Sequence, residues 1–169
     1  MLKFEPQTQM KTTILNEKKV TKNRECPMSL EENKAIVPKM IEEYNKHTLD
    51  WFDDFIAPDY FDRTNQVGAE GVKQLFVMGF KGFPDWHEAI DDIIAEGDKV
   101  WIHLTYTGTH EGEFFGLAPT GNKVTMKGVA IYRIANGKLV EGWLINDGLD
   151  MFKQMGAIEI TEKGKNLFP

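Results

Sequence analysis

An α+β fold is what this chain predicts, and three observations predict it. Apart from a short C-terminal run, apolar residues recur at helical spacing in the first half, between Leu30 and Lys81. From Trp86 onward the period changes to two, through four successive runs that end at Asp147. Between the last two runs stands Asn136-Gly137, a dipeptide that suits a tight hairpin because both of its residues tolerate positive φ. Helices gathered at one end of the sequence and antiparallel neighbours at the other argue for that α+β class.

At 169 residues the chain suits one domain with a real core. Residues 1–28 are polar and without a convincing period, and they close on Cys26-Pro27. They read as an N-terminal extension, expected to be flexible at its start, ahead of a domain over 29–169. An amphipathic docking or targeting segment is the alternative there. Cys26 is the only cysteine, which excludes an internal disulfide and any paired-cysteine metal site. With no apolar run long enough to span a bilayer and no secretory core at the N-terminus, the expectation is a cytoplasmic protein away from membranes. A formal net charge of −6 argues against nucleic acid as a partner, since phosphates would be repelled.

The elements follow in order. Ser29 and Glu32 have the spacing of a capping box, and Ile36, Val37, Met40, Ile41 and Tyr44 form one apolar stripe behind them. Pro38 inside that stripe predicts a kink or a first turn. His47 to Asp50 should open a short second helix through Trp51, Phe52 and Phe55, and Ile56 to Asn65 reads as a brief strand or bend leading towards a pocket. A third helix runs from Gly71 to Lys81, ended by Gly82 and Pro84. Strands are expected over Trp86–Ala95, Lys99–Thr109, Lys123–Ala135 and Lys138–Asp147, and Leu149, Phe152, Met155 and Ile158 should close the mouth as a short C-terminal helix ending near Gly156.

Between the second and third of those strands, Gly108 to Gly121 contains four glycines and one proline, so it should be a long connection of the kind that rims a pocket. Its Gly-Thr-His-x-Gly-x-Phe-x-Gly-x-x-Pro-Thr-Gly pattern resembles the signature of the SnoaL-like polyketide cyclases, or ester cyclases. Phe83-Pro84-Asp85, Glu96-Gly97-Asp98-Lys99-Val100 and the Arg133 to Asp147 segment resemble further motifs of that family, in order, from about Glu32 to Ile158. The resemblance implies a strongly bent, mostly antiparallel sheet wrapped with its helices into an NTF2-like cone. It further implies a cofactor-free enzyme without metal, a small hydrophobic carbonyl ligand and a homodimer through the outer sheet face.

Alternation along the last strand groups Leu139, Glu141, Trp143, Ile145 and Asp147. Spacing alone leaves Asp147 between two roles, a cap for the next helix or a desolvated base. The resemblance assigns it acid/base work. His110 is the second catalytic candidate, as a proton carrier or hydrogen-bond donor. His103, Arg63, Trp101, Phe114 and Trp143 are the substrate-binding candidates. His103 falls on the other face from His110 unless a bulge at Gly108 intervenes. Arg63 stands where the resemblance leads one to expect histidine; it cannot act as a base and would hold a carboxylate or ester oxygen, or pair with Asp62 on the surface. No phosphate cradle, nucleophile elbow or metal-ligand spacing occurs. The leading expectation is proton removal by Asp147 followed by intramolecular ring closure, with hydrolysis, dehydration or ligand binding without turnover as alternatives.

Overall fold

The chain is described over residues 29–165 by a computed structural model, and the extension expected over 1–28 lies outside them. Helix α1 (Leu30–Tyr44) begins on the predicted capping box: Ser29 Oγ accepts from Glu32 N at 3.2 Å, and Ser29 N donates to Glu32 Oε2 at 2.7 Å. Pro38 sits inside the helix without ending it, while Val37, Met40, Ile41 and Tyr44 bury the stripe. The second helix, α2 (Phe52–Phe55), is a single turn. It leads into β1 (Ile56–Asp62), a seven-residue strand that decides the expected strand-or-bend alternative in favour of a strand, and then into the short β2 (Val67–Gly68). Helix α3 (Ala69–Gly82) places Val72, Leu75, Phe76 and Gly79 along one face, spacings of three and four that keep them together.

Four long strands follow: β3 (His87–Glu96), β4 (Lys99–Thr109), β5 (Lys123–Ala135) and β6 (Lys138–Asn146). The sheet has six strands in the order β2-β1-β6-β5-β4-β3, antiparallel throughout except for the β1–β6 pair. It is curved and open, with α1 and α3 against its concave side and α4 (Gly148–Gln154) against β5. Val100, Ile102, Leu104 and Tyr106 of β4 face the core, as do Val124, Met126 and Ala130 of β5.

Two single-residue insertions set which side chains face inward. In β3 the register passes from Ile90↔Leu104 to Asp92↔His103, which leaves Asp91 over. In β6 it passes from Leu139↔Ile134 to Glu141↔Arg133, which leaves Val140 over. Each extra residue shifts the alternation by one, so that side chains on either side of it exchange faces. Leu139 is therefore buried while Glu141, Trp143 and Ile145 lie on the outer face, which separates the group that plain alternation had joined. No such insertion occurs at Gly108: β4 pairs with β5 without interruption from Lys99↔Arg133 to Thr109↔Lys123.

Candidate functional site

The concave face and the helices enclose a hollow of about 290 Å³, within reach of the size of a small-molecule pocket. Its wall is mainly apolar: Val72, Leu75, Phe76 and Met78 from α3, Phe83 and Trp86 beyond it, Met126 and Leu144 from the sheet, and Met151 and Phe152 from α4. A narrower pocket beneath shares Asp62, Val72, Phe76 and Leu144 and adds Tyr60 and Tyr132. Polar groups on the main wall are few: Asp62, Asn65, Glu88, Tyr106 and Asn146, with Tyr44.

Glu88 and Tyr106 are register partners on β3 and β4. Trp86, two residues before Glu88, stacks on Tyr106 with ring centroids 5.7 Å apart and sends its indole N–H towards Glu88 Oε1 at a long 3.5 Å. The Glu88 backbone is pinned to α1, since its N–H donates to Asn45 Oδ1 and its carbonyl accepts from Asn45 Nδ2, both at 2.9 Å. Burial pushes the Glu88 carboxyl up to about 7, because the ionised form loses water and gains only the Trp86 contact. Tyr106 and Tyr44 are likewise raised, by burial first and by the Glu88 charge second, so both remain protonated donors. The Tyr106 hydroxyl is buried and has no hydrogen-bond partner among the described residues. Asp62, by contrast, is satisfied, accepting from the backbone of Thr64 and Asn65 and from Asn65 Nδ2 at 2.8–3.0 Å.

The loop after β4 docks on the end of α3. Glu111 N and Gly112 N both donate to Gly82 O at 3.0 Å, and Phe114 packs edge-on to Phe83. A tight turn through Phe115 and Gly116, both at positive φ, pairs Phe114 with Leu117. His110 closes the base of the loop, its backbone bonded to Asn122 O and to Gly121 N at 2.9 Å. Its ring is fully buried (0% exposed) against Phe83, and Nδ1 accepts from Thr120 N at 3.2 Å. An acceptor at Nδ1 puts the ring proton on Nε2, which has no partner among the described residues.

Of the candidate site residues, Phe114 alone lines the main hollow, and Trp143 is among the residues of the narrower pocket. His110 lies behind Phe83. Asp147 is exposed and caps α4, its Oδ1 accepting from Asp150 N at 3.0 Å, so the expected shelter for its carboxyl is absent; it borders a separate surface pocket with Lys153 and Ile158. The physical cause is the Val140 insertion, which turns this stretch of β6 outward. His103 and Trp101 lie on the outer face, His103 with Nδ1 3.4 Å from Asp91 Oδ2 and Trp101 at 42% exposure. Trp143 is their neighbour on that face, with Lys99 Nζ 5.8 Å from its ring centroid. Arg63 pairs with Glu141, not with Asp62, and Arg133 joins the same carboxylate at 2.8 Å. These two guanidiniums, Arg133 foremost, hold Glu141 below the usual carboxylate range.

Trp86, Glu88 and Tyr106 went unmarked in the sequence. Tyr106 was legible as inward from the Val100, Ile102, Leu104 series, but pairing counted from the Gly97-Asp98 turn puts Ala89 opposite it until Asp91 is allowed for. Among the described residues no group of three or more His, Cys, Asp or Glu side chains is placed to hold a metal ion, and no helix is long and apolar enough to cross a membrane.

The family profile described as SnoaL-like polyketide cyclase matches residues 34–155. Over 117 residues the chain is 26% identical to aklanonic acid methyl ester cyclase AcmA of Streptomyces galilaeus, a match covering 65% of this chain and 81% of that one. Among solved structures it is similar to AclR, a candidate hydroxylase of Streptomyces galilaeus (TM-score 0.73, 29% identity, 82% of this chain and 90% of that one). It is also similar to IdmH, a candidate polyketide cyclase of Streptomyces antibioticus (TM-score 0.65, 27% identity, 73% and 98%). That profile spans most of the chain, and with the curved six-stranded sheet beside it the chain belongs to the SnoaL-like polyketide cyclase family.

Proposed function

We propose that the chain binds a small hydrophobic carbonyl compound of polyketide type in its cone and moves a proton on it, closing a ring within the same molecule. The observation that carries this is the hollow itself: an apolar enclosure on the concave face, with a few polar groups and a carboxyl among aromatic rings. A carbon flanked by two carbonyls gives up its proton easily because both oxygens share the charge, so the chemistry asks only for a base, hydrogen-bond donors and exclusion of water. In this scheme His110 acts through position, clamping the Gly108–Gly121 loop so that Phe114 shields the ligand. Asp147 fixes the start of α4, which presents Met151 and Phe152 to the hollow. The exposure of Asp147 is the observation that favours a second reading, a ligand-binding cone without turnover. The scheme includes a cytoplasmic location, and a homodimer through the outer face, where Ile94, Trp101, Ile131 and Trp143 stand in register across β3 to β6.

The test is exchange of the acidic C–H of an aromatic 1,3-diketone in D₂O, followed by proton NMR, with binding read from Trp fluorescence. Gly79→Leu supplies the control, because Gly79 lines the hollow, a Cβ there meets nothing within 4 Å, and a helical glycine replaced by leucine does not weaken the helix. Protein-accelerated exchange that Gly79→Leu abolishes supports the proposal. Binding without exchange supports the ligand-binding alternative.

A further inference from the structure

The hollow contains one carboxyl that is neither capped nor ion-paired, and one hydroxyl that nothing in the protein satisfies. Asp62 is committed to the Thr64–Asn65 turn. Glu88 receives only the long Trp86 contact, and no other described side chain bonds its carboxyl. Opposite it, the Tyr106 hydroxyl is shut away from water without a partner, a state that costs free energy unless a ligand completes it. The two groups sit on rigid, paired strands, with the Glu88 backbone further tied to Asn45.

We propose that Glu88 and Tyr106 are the proton-transfer pair of this cone, acting on a 1,3-dicarbonyl segment of the ligand: the Glu88 carboxylate is the base and the Tyr106 hydroxyl the donor to the carbonyl oxygen. The assignment rests on the proton-transfer function proposed above. A Glu88 oxygen takes the hydrogen of the carbon between the two carbonyls as a proton. The C–H electron pair becomes the C=C bond of an enolate, and the carbonyl π pair moves to the oxygen that Tyr106 hydrogen-bonds. The enolate carbon then attacks a second carbonyl of the same molecule, forming one C–C bond, and the new alkoxide recovers the proton from the Glu88 carboxyl. Nothing is oxidised or reduced and no co-reactant is consumed. Tyr106 stays protonated throughout, as its surroundings demand, and Trp86, stacked on it, provides a flat wall for the ligand ring.

Glu88→Gln, Tyr106→Phe and Asp147→Asn are compared in the diketone exchange assay, with far-UV circular dichroism to confirm folding. A naphthol, a stable mimic of the enolate, serves as a second probe by calorimetry. The expected result is loss of exchange by about 10²- to 10⁴-fold in Glu88→Gln and about 10²-fold in Tyr106→Phe, with Asp147→Asn close to wild type. Naphthol affinity should fall in Tyr106→Phe. Exchange that survives Glu88→Gln overturns the assignment while leaving the proposed function intact. If wild type shows no exchange at all, the proposed function fails, and naphthol then decides the pair: affinity unchanged by both substitutions overturns it as a ligand site, and weakened affinity upholds it as one. Glu88→Asp, which keeps the charge but withdraws it by one methylene, separates a misplaced base from a lost one by retaining partial exchange.

Discussion

Glu88 and Tyr106 face one another on the concave side of the sheet because β3 carries one residue more than β4 can pair, at Asp91. Around that pair stand Tyr44 from α1, Trp86 just before β3 and Tyr132 from β5, with Asp62 of β1 on the same wall, and no cation is among the groups that line it. A carboxylate in such company is held back from ionising by lost hydration, and no opposite charge compensates it.

The pH dependence follows from the direction of that shift. Glu88 titrates at about 7 in the folded chain against an ordinary 4.5, so between those values the native state keeps a proton that the unfolded chain has released. Stability from this group is complete below about 4.5 and is lost as pH rises through about 7. The upper bound is on the order of 3 kcal/mol. Urea unfolding of wild type and Glu88→Gln at pH 5 and pH 8 measures it: the wild type should weaken between the two, the variant much less. Exchange activity should move the opposite way, rising with the carboxylate.

Asp147 tests the difference between a cap and a base. Asparagine caps helices about as well as aspartate, so Asp147→Asn should leave the melting temperature nearly unchanged, whereas Asp147→Ala removes the bond to Asp150 N and should cost about 1 kcal/mol. Thermal melts of the two variants give the answer, and an equal loss in both would contradict the cap.

Gly112 is where the long loop meets α3. A Cβ there would overlap the Lys81 carbonyl, a backbone atom that cannot swing aside, so Gly112→Ala should release the two bonds to Gly82 O. The expected outcome is faster amide exchange over residues 110–121, seen by hydrogen–deuterium mass spectrometry, together with weaker ligand binding as Phe114 leaves the wall.

On the outer face, Ile145 is 65% exposed and Ile94 60% exposed beside Trp101, an apolar surface of the kind that marks an interface. Light scattering should give twice the chain mass at micromolar concentration, and Trp101→Glu should return it to one chain mass with its circular dichroism unchanged. A monomeric wild type would refute the pairing.

Much of the fold was legible. Strand limits at Lys99, Thr109, Lys123, Ala135 and Lys138 follow from alternation and from the Asn136-Gly137 turn, whose residues both hold positive φ as that dipeptide allows. Ser29 and Glu32 announce α1 by a local pair of hydrogen bonds. The site was far less legible, for one physical reason that applies twice. A face is inferred by counting in twos from a turn, and counting fails past an unmatched residue. Counted from Asn136-Gly137, Asp147 shares a face with buried Leu139; Val140 breaks the count and Asp147 ends at the surface. Asp91 does the reverse for Glu88, bringing it inside. No composition signal at Asp91 or Val140 betrays the insertion, because neither residue needs an unusual φ.

Asp91 has a wider consequence for how such cones acquire new activities. Were the bulge smoothed out, with Asp91 taking Leu104 as its partner and β4 unchanged, His87 and Ala89 would face the cavity while Glu88 turned towards solvent, all unchanged in identity. A scaffold of this kind has two registers of chemistry written on one strand, an acidic one and an imidazole one, and a one-residue slip of pairing is enough to choose between them.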